Sequence, residues 1–267
     1  MCIRDRDGSM ADSFAELTER PNTMATRQQL SMLSTRYNLA ASLSSKKDIL
    51  EVACGPAIGL GMLQANDARV IGGDFSRTLL KEGRTDYQEN IPLVQLDAEH
   101  LPFKNNSFDV VILFEAIYYL PNPAYFFAEA ARTLRKDGTI VVCSANKERA
   151  GFVPSPHAKN YYSGKELHSF LNNQHFTVNL LAGFPVSTNR FVDLARNTIR
   201  TFLRSLNLIP KTLKGRELLK RIAYGKLEKI GSEIDSESLP PEPLIPVEPT
   251  EDLSNYAVLY AIGTKTT

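Results

Sequence analysis

Four acids and two glycines set the chemistry this chain could do. Glu51 and Gly55 stand in the run Asp48-Ile-Leu-Glu-Val-Ala-Cys-Gly-Pro-Ala-Ile-Gly59. Ile49, Leu50 and Val52 suit a buried parallel strand, and Ile58, Leu60, Met62 and Leu63 open a segment that reads as helix. A strand that turns sharply into a helix collects free backbone N–H groups and the positive end of a helix dipole. Gly55 lets the chain turn and lets a ligand touch bare backbone, as at the nucleotide sites of doubly wound α/β folds. Asp74 follows nineteen residues after Gly55, at the end of the next apolar run. There a carboxylate accepts from both hydroxyls of a ribose, or else caps the following helix, a task Ser76 can take instead. Asp97 comes directly after a third run (Ile91 to Leu96), where an acid can accept from an adenine amino group. His100, three residues on, reads as an exposed loop histidine. Glu115 follows a fourth apolar run, with Tyr118 and Tyr119 close behind. In open α/β sheets ligands sit beyond the carboxyl ends of the strands, so these residues belong near the reacting end of a ligand.

The elements that must position them alternate. A helical stretch over 23–45, with Leu30, Leu33, Tyr37, Ala40 and Leu43 at helical spacing and Thr23 or Thr26 to cap it, precedes the first strand. Tyr37 is placed either to pack that helix on the sheet or to face a ligand. Strands follow at 69–74, 91–96, 107–114, 139–143, 176–181 and 255–263. A helix from about Pro123 carries Phe126, Phe127, Ala130 and Leu134 on one side and stops at Lys136-Asp-Gly138. Ser163 and Glu166 read as a capping box for another.

The glycine spacing lacks the central glycine of a G-x-G-x-x-G dinucleotide fingerprint, because Ala57 stands there, which argues against a nicotinamide enzyme. Glu51-x-x-x-Gly55-x-x-x-Gly59, Gly73-Asp74, Asp97-Ala98 with Leu101-Pro-Phe103, Ser107-Phe-Asp109 and Leu134 to Gly138 occur in an order and spacing that resembles the class I S-adenosylmethionine-dependent methyltransferases of the bacterial type 11 group. Phe114 to Leu120 and Asn146-Lys-Glu are similar to an uncharacterised branch of it. The resemblance covers about residues 37–185 and returns near the C-terminus. It implies a Rossmann-like sheet of seven strands, the last antiparallel, and S-adenosylmethionine as cofactor. It also implies that Glu51, Ala53, Gly55, Gly59, Asp74, Phe75, Asp97, Ala98 and Phe114 surround that cofactor. Tyr118, Tyr119 and Tyr161 become the substrate-side candidates, and Glu115 or Tyr119 the candidate base. Ala53 and Ala57 depart from the family, many members of which have glycine there. The activity implied is methyl transfer to the oxygen or nitrogen of a small or medium-sized acceptor. The competing reading is a non-catalytic module of the same fold.

With 267 residues, 43% hydrophobic and 23% charged, the chain has the composition of a soluble globular protein with one large domain. A net charge of +1 gives no nucleic-acid signal, and no apolar run is long enough for a membrane span. Three cysteines without ligand spacing exclude a disulfide framework and a cysteine metal site, and fit a cytoplasmic setting. Residues 1–22 read as a disordered tail. Its opening Met1-Cys-Ile-Arg-Asp-Arg6 resembles a translated sequencing adaptor, which would put the natural start at Met10. Residues 23–185 form the core, 186–254 an insertion and 255–267 the last core strand. The insertion is basic and helical first: residues 190–230 hold 11 Lys or Arg against 3 acids, with Arg196, Arg200 and Arg204 on one face. Residues 231–252 hold 7 acids and no base, around the proline-rich connector 239–246. The insertion is expected to cap the sheet's open end, its basic face suiting an anionic or lipid-linked acceptor or a membrane surface.

Overall fold

The computed structural model describes residues 18–65, 67–87, 90–186, 227–234 and 239–266. Chain order runs β1 (Met24–Thr26), α1 (Arg27–Ser42), β2 (Asp48–Val52), α2 (Leu60–Gln64), β3 (Arg69–Asp74), α3 (Arg77–Tyr87), β4 (Leu93–Gln95) and β5 (Phe108–Phe114). It continues through a 3-10 turn (Ile117–Tyr119), α4 (Pro123–Thr133), β6 (Leu134–Ala145), α5 (Gly164–Asn172), β7 (Phe176–Pro185), β8 (Leu227–Lys229), β9 (Ile245–Val247) and β10 (Tyr256–Lys265). The main sheet has the order β4-β3-β2-β5-β6-β10-β7-β9. Strands β2 to β6 pair in parallel, and β10 runs antiparallel between β6 and β7. The seven expected strands are therefore present, with the last one antiparallel.

Side-chain alternation splits the core into two layers. Val110, Ile112 and Phe114 of β5 join Leu30, Leu33 and Tyr37 of α1 and Leu60 and Leu63 of α2. Val111 and Leu113, on the other face, join Phe126, Phe127 and Ala130 of α4 and Leu167 and Leu171 of α5. Thr26 caps α1 through a capping box with Gln29, and Ser163 does so for α5 with Glu166, as the spacing predicts.

Four expectations are corrected. The main sheet has an eighth strand, β9, which pairs antiparallel with β7 from within the proline-rich connector. Pro246 is tolerated there because an edge strand leaves an unpaired side. Leu227 sits not in a helix but in β8, drawn into an extended conformation by antiparallel pairing with β1. Residues 18–22 are packed rather than loose: Arg20 grips Glu82, Glu19 grips Arg36, and Asn22 N donates to Ile230 O at 2.9 Å. Finally, α4 ends at Thr133, before Lys136-Asp-Gly138. Leu134 is already extended, and the bend with Asp137 at φ 60° lies inside β6. The basic face of Arg196, Arg200 and Arg204 lies outside the described residues. The described parts of the insertion lie along α1: Ser34 Oγ donates to Leu239 O, and Thr35 Oγ1 accepts from Glu242 N at 2.9 Å. Among the described residues no helix is long and apolar enough to cross a membrane.

The turn from β2 into α2 depends on close packing beneath α1. A Cβ on Gly59 would lie 2.0 Å from Cε1 of Tyr37, whose ring is buried. Gly59→Ala should therefore destabilise the fold by about 1–3 kcal/mol, because Tyr37 must leave its place. In a Tyr37→Ala background the added methyl group should cost much less. Urea unfolding of the four proteins in the cycle checks this, and equal costs in both backgrounds would refute it.

Candidate functional site

The turn after β2 is strained at alternate residues. Ala53, Gly55 and Ala57 have φ of 58°, 56° and 66°. Two of these left-handed positions carry a Cβ, a conformation that costs an alanine on the order of 1 kcal/mol. Asp74 holds the turn: Oδ2 accepts from Gly55 N at 2.8 Å and Oδ1 from Ser76 N at 2.7 Å. Cys54 N also donates to Gly73 O at 3.0 Å. Ser76 caps α3, with Leu79 N donating to its Oγ at 3.4 Å, so Asp74 is left for the turn. Burial raises the Asp74 pKa while the two backbone donors pull it back. The helix after the turn has only five residues, so its dipole adds little and the turn's own N–H groups are the polar feature. Thr18 lies over this turn, since a Cβ on Gly55 would come within 2.9 Å of its Cγ2.

These residues border a cavity of about 520 Å³ over the carboxyl ends of the strands. Glu51, Ala53, Gly55, Asp74, Phe75, Asp97, Ala98, Phe114, Glu115, Tyr118 and Tyr119 all line it. Phe75 is 39% exposed, one of three exposed large apolar groups among the described residues. Asp97 Oδ1 accepts from Glu99 N at 2.9 Å, and Oδ2 meets His100 Nδ1 at 3.3 Å. The His100 side chain is 76% exposed and points away from any buried chemistry. Two site expectations land elsewhere. Gly59 faces the Tyr37 ring, and Tyr161 stands behind Tyr118, stacked at 4.7 Å between centroids. Tyr37 does both things open to it: it packs α1 on the sheet and lines the cavity.

A buried ionisable cluster fills the middle of the cavity wall. Tyr37 donates to Glu51 Oε1 at 2.6 Å, while Glu51 Oε2 has no hydrogen-bond partner among the described residues. Burial pushes the Glu51 pKa up to about 7, against the pull of Tyr37 and Arg36. Glu115, at φ 50°, accepts from Tyr118 OH at 2.9 Å and lies 3.5 Å from the Cys143 thiol. Burial raises its pKa too, again opposed by Arg36 and Tyr118. Burial would lower the Arg36 pKa, but Glu19, Tyr37, Cys143 and Glu115 outweigh it and the guanidinium stays charged. Its Nε is buried and has no hydrogen-bond partner among the described residues. Burial raises the thiol pKa of Cys54 and Cys143, so neither supplies a thiolate nucleophile. Among the described residues no group of three or more His, Cys, Asp or Glu could hold a metal ion.

Sequence reasoning missed Arg36, Glu19 and Thr18. Arg36 left a signal, a charge set beside the buried stripe of Leu33, Tyr37 and Ala40. Glu19 and Thr18 left none, because they were assigned to a tail.

The raised Glu51 pKa has a consequence for stability. The folded chain holds a proton there that the unfolded chain releases near pH 4.5, so this group's contribution falls as pH rises from about 4.5 to 7. Glu51→Gln keeps an acceptor for Tyr37 and removes the titration. Relative to the parent, the variant should gain up to about 3 kcal/mol between pH 5 and pH 8. Urea unfolding at both pH values measures this. A difference between the two proteins that does not move with pH would refute it.

Residues 50–142 match the family model described as "Methyltransferase domain". A probable S-adenosylmethionine-dependent methyltransferase of Mycobacterium tuberculosis is 31% identical over 111 residues, which is 42% of this chain and 40% of that protein. A demethylmenaquinone methyltransferase of Clavibacter sepedonicus is 30% identical over 139 residues, 51% of this chain and 56% of that protein. The chain thus spans about half the length, or less, of these two relatives. The fold is shared with a crystal structure from Thermotoga maritima, described as an S-adenosylmethionine-dependent methyltransferase and possible histamine N-methyltransferase. That match has a TM-score of 0.56 at 16% identity and covers 89% of this chain and 91% of the other. Residues 50–142 are thus similar to the methyltransferase domain of S-adenosylmethionine-dependent enzymes, and the fold is the one those enzymes share.

Proposed function

We propose that this protein transfers the methyl group of S-adenosylmethionine to the oxygen or nitrogen of a small or medium-sized acceptor. One observation carries the reading. A single cavity joins the Asp74-held turn at one end to Glu115, Tyr118 and Tyr119 at the other. The residues fit the cofactor. Asp74 uses one lone pair of each oxygen on backbone and keeps acceptor capacity for ribose hydroxyls. Phe75 offers an exposed ring for a base to lie against, and Glu51 Oε2 is an acceptor without a hydrogen-bond partner among the described residues. The cofactor supplies a methyl group made electrophilic by its sulfonium, so the chain has mainly to place a nucleophile and exclude water.

Glu115 is the group suited to take a proton. Burial raises its pKa toward neutrality, where a general base works best, and Tyr118 fixes its orientation. A hydroxyl acceptor would give its proton to the Glu115 carboxylate as the oxygen lone pair forms the new bond. An amine that arrives neutral needs no such help. Tyr119, whose pKa burial pushes up to about 12, is a hydroxyl donor rather than a base at neutral pH. The acceptor's body would meet Phe114, Tyr118, Tyr119, Leu120 and Val258, an apolar wall suited to a ring. The quinone named for the Clavibacter relative is of that type. The insertion leaves β7 and re-enters at β10, and its described parts lie along the helix that carries Arg36 and Tyr37. This supports a cap contributed by residues 186–254.

Asp74→Ala should weaken S-adenosylmethionine binding about ten- to hundredfold, the effect of losing a charged acceptor worth roughly 1.5–3 kcal/mol. Part of the loss comes through Gly55, whose N–H would lose its partner. Calorimetric titration of the folded variant tests it. Unchanged affinity would remove Asp74 from the site, and absence of binding to the parent protein would remove the function.

A further inference from the structure

We infer that the acceptor is an aryl acid, a ring bearing a carboxylate or phosphate that is held by Arg149 and Lys159. The inference rests on the methyl-transfer reading and deepens it.

Charge in the cavity is sorted along the sheet. Asp74 ends β3, and Asp97 and Glu99 follow β4, on one side of β2. Ala145 ends β6, and Ala257 and Val258 belong to β10, on the opposite side. Besides Arg36, which Glu19 engages midway, the cations among the lining residues are Arg149 and Lys159. Both belong to the segment after β6. The acidic end suits hydroxyls and amino groups of the cofactor, and repels an anion. The far end has Glu115 as its acid, already engaged by Tyr118.

The backbone that carries both residues is held by the fold. Asn146 is fully buried, and its Nδ2 donates to Leu253 O at 2.8 Å and Tyr256 O at 2.9 Å, which pins the turn leading to Arg149 onto the entry of β10. The Arg149 guanidinium lies 5.5 Å from the centroid of Phe152. Phe152 meets Tyr161 edge-on at 4.7 Å, Tyr161 stacks on Tyr118 at 4.7 Å, and Tyr118 meets Tyr119 at 4.6 Å. Lys159 is tied to the same stack, its N–H donating to Tyr118 O at 2.7 Å. One continuous set of rings therefore runs from Arg149 to Tyr118, which itself bonds Glu115. Of these rings Tyr118 and Tyr119 line the cavity, with Phe152 and Tyr161 behind them, so the wall offers ring surface to a ring, cations to an anion beyond it, and an acid near the reacting atom. A neutral aliphatic acceptor would use neither the rings nor the cations, an aliphatic acid would leave the rings unused, and a cationic acceptor would be repelled by Arg149 and Lys159.

The test uses the full chain saturated with S-adenosylhomocysteine and three ring probes. These are 4-hydroxybenzoate, phenyl phosphate and the uncharged 4-hydroxybenzamide, titrated by calorimetry or ligand-observed NMR. At least one acid should bind about tenfold or more tightly than the amide, and raised salt should shrink the gap. Whichever acid binds better identifies the anion. Arg149→Gln with Lys159→Gln should abolish the preference while S-adenosylhomocysteine binding stays unchanged, which also shows that the variant is folded. Equal binding of acid and amide, or a preference that survives the double substitution, would overturn the inference. If S-adenosylhomocysteine fails to bind the parent protein, it is the function itself that fails.

Discussion

The contact on which the rest depends is the one from Asp74 to the backbone of Gly55. A nucleotide site made of bare backbone needs the chain to expose its N–H groups, and exposing them means holding a turn that the residues themselves do not favour. Here that turn has three left-handed residues, two of them alanines. A carboxylate buried at the end of the neighbouring strand stabilises it with a charge-assisted hydrogen bond, stronger than a neutral one. The parallel register sets the distance. Val52 is opposite Gly73, so the turn leaves β2 one residue short of where Asp74 ends β3. Strand pairing thus brings acid and turn together before any ligand arrives. The same geometry explains Gly83 in α3, where a Cβ would come within 2.9 Å of Pro56 O and 3.0 Å of the Ala57 methyl. An alanine in the turn is accommodated by a glycine in the helix above it.

Next to this anchor, the cavity wall carries more buried acid than buried base. Glu51, Asp74 and Glu115 all have pKa values raised first by burial. Arg36 opposes that rise at Glu51 and Glu115, which makes it the shared counter-charge of the middle of the cavity. The balance leaves the middle of the cavity short of positive charge, which a cationic ligand would offset. Under the proposed function a sulfonium bound beside these groups would favour their ionised forms, so it should release protons and prepare Glu115 as an acceptor at the same time. Water exclusion and charge compensation are then one event.

The parts of the chain that were legible were those governed by local chemistry. Thr26 with Gln29 and Ser163 with Glu166 sit at helix starts because a cap is satisfied within four residues. The strand ends carrying Asp74, Asp97 and Glu115 followed from apolar runs that stop at an acid. What was not legible depends on partners far away in sequence. Leu227 continues a helical pattern, yet pairing with Thr26 makes it strand. Ile245 and Val247 alternate as a strand should, but the four prolines of residues 239–246 mark a connector, and only the free edge of β7 draws them in. Glu19 has no periodic context at all, and its role appears only once α1 brings Arg36 to it. Gly59 shows a subtler failure. Its position was read as contact with a ligand, and the crowding that demands a glycine there comes from Tyr37.

The sheet alone does not choose a reaction, since folds host many chemistries and function lies in the site. What narrows it here is the set of groups that the described lining residues carry. The Cys54 thiol among them is buried, and burial raises its pKa. The set comprises carboxylates oriented by hydroxyl or backbone donors, Glu51 by Tyr37, Glu115 by Tyr118 and Asp74 by Gly55 and Ser76, and an apolar wall of rings. Such a set can bind, desolvate and remove a single proton, but cannot by itself break a strong bond. A reaction run here must bring its own driving force, and under the proposed function a cofactor with an activated methyl group would do so. The modest catalytic apparatus of the chain and the high reactivity of such a cofactor would then be two sides of one arrangement, in which placement does most of the work.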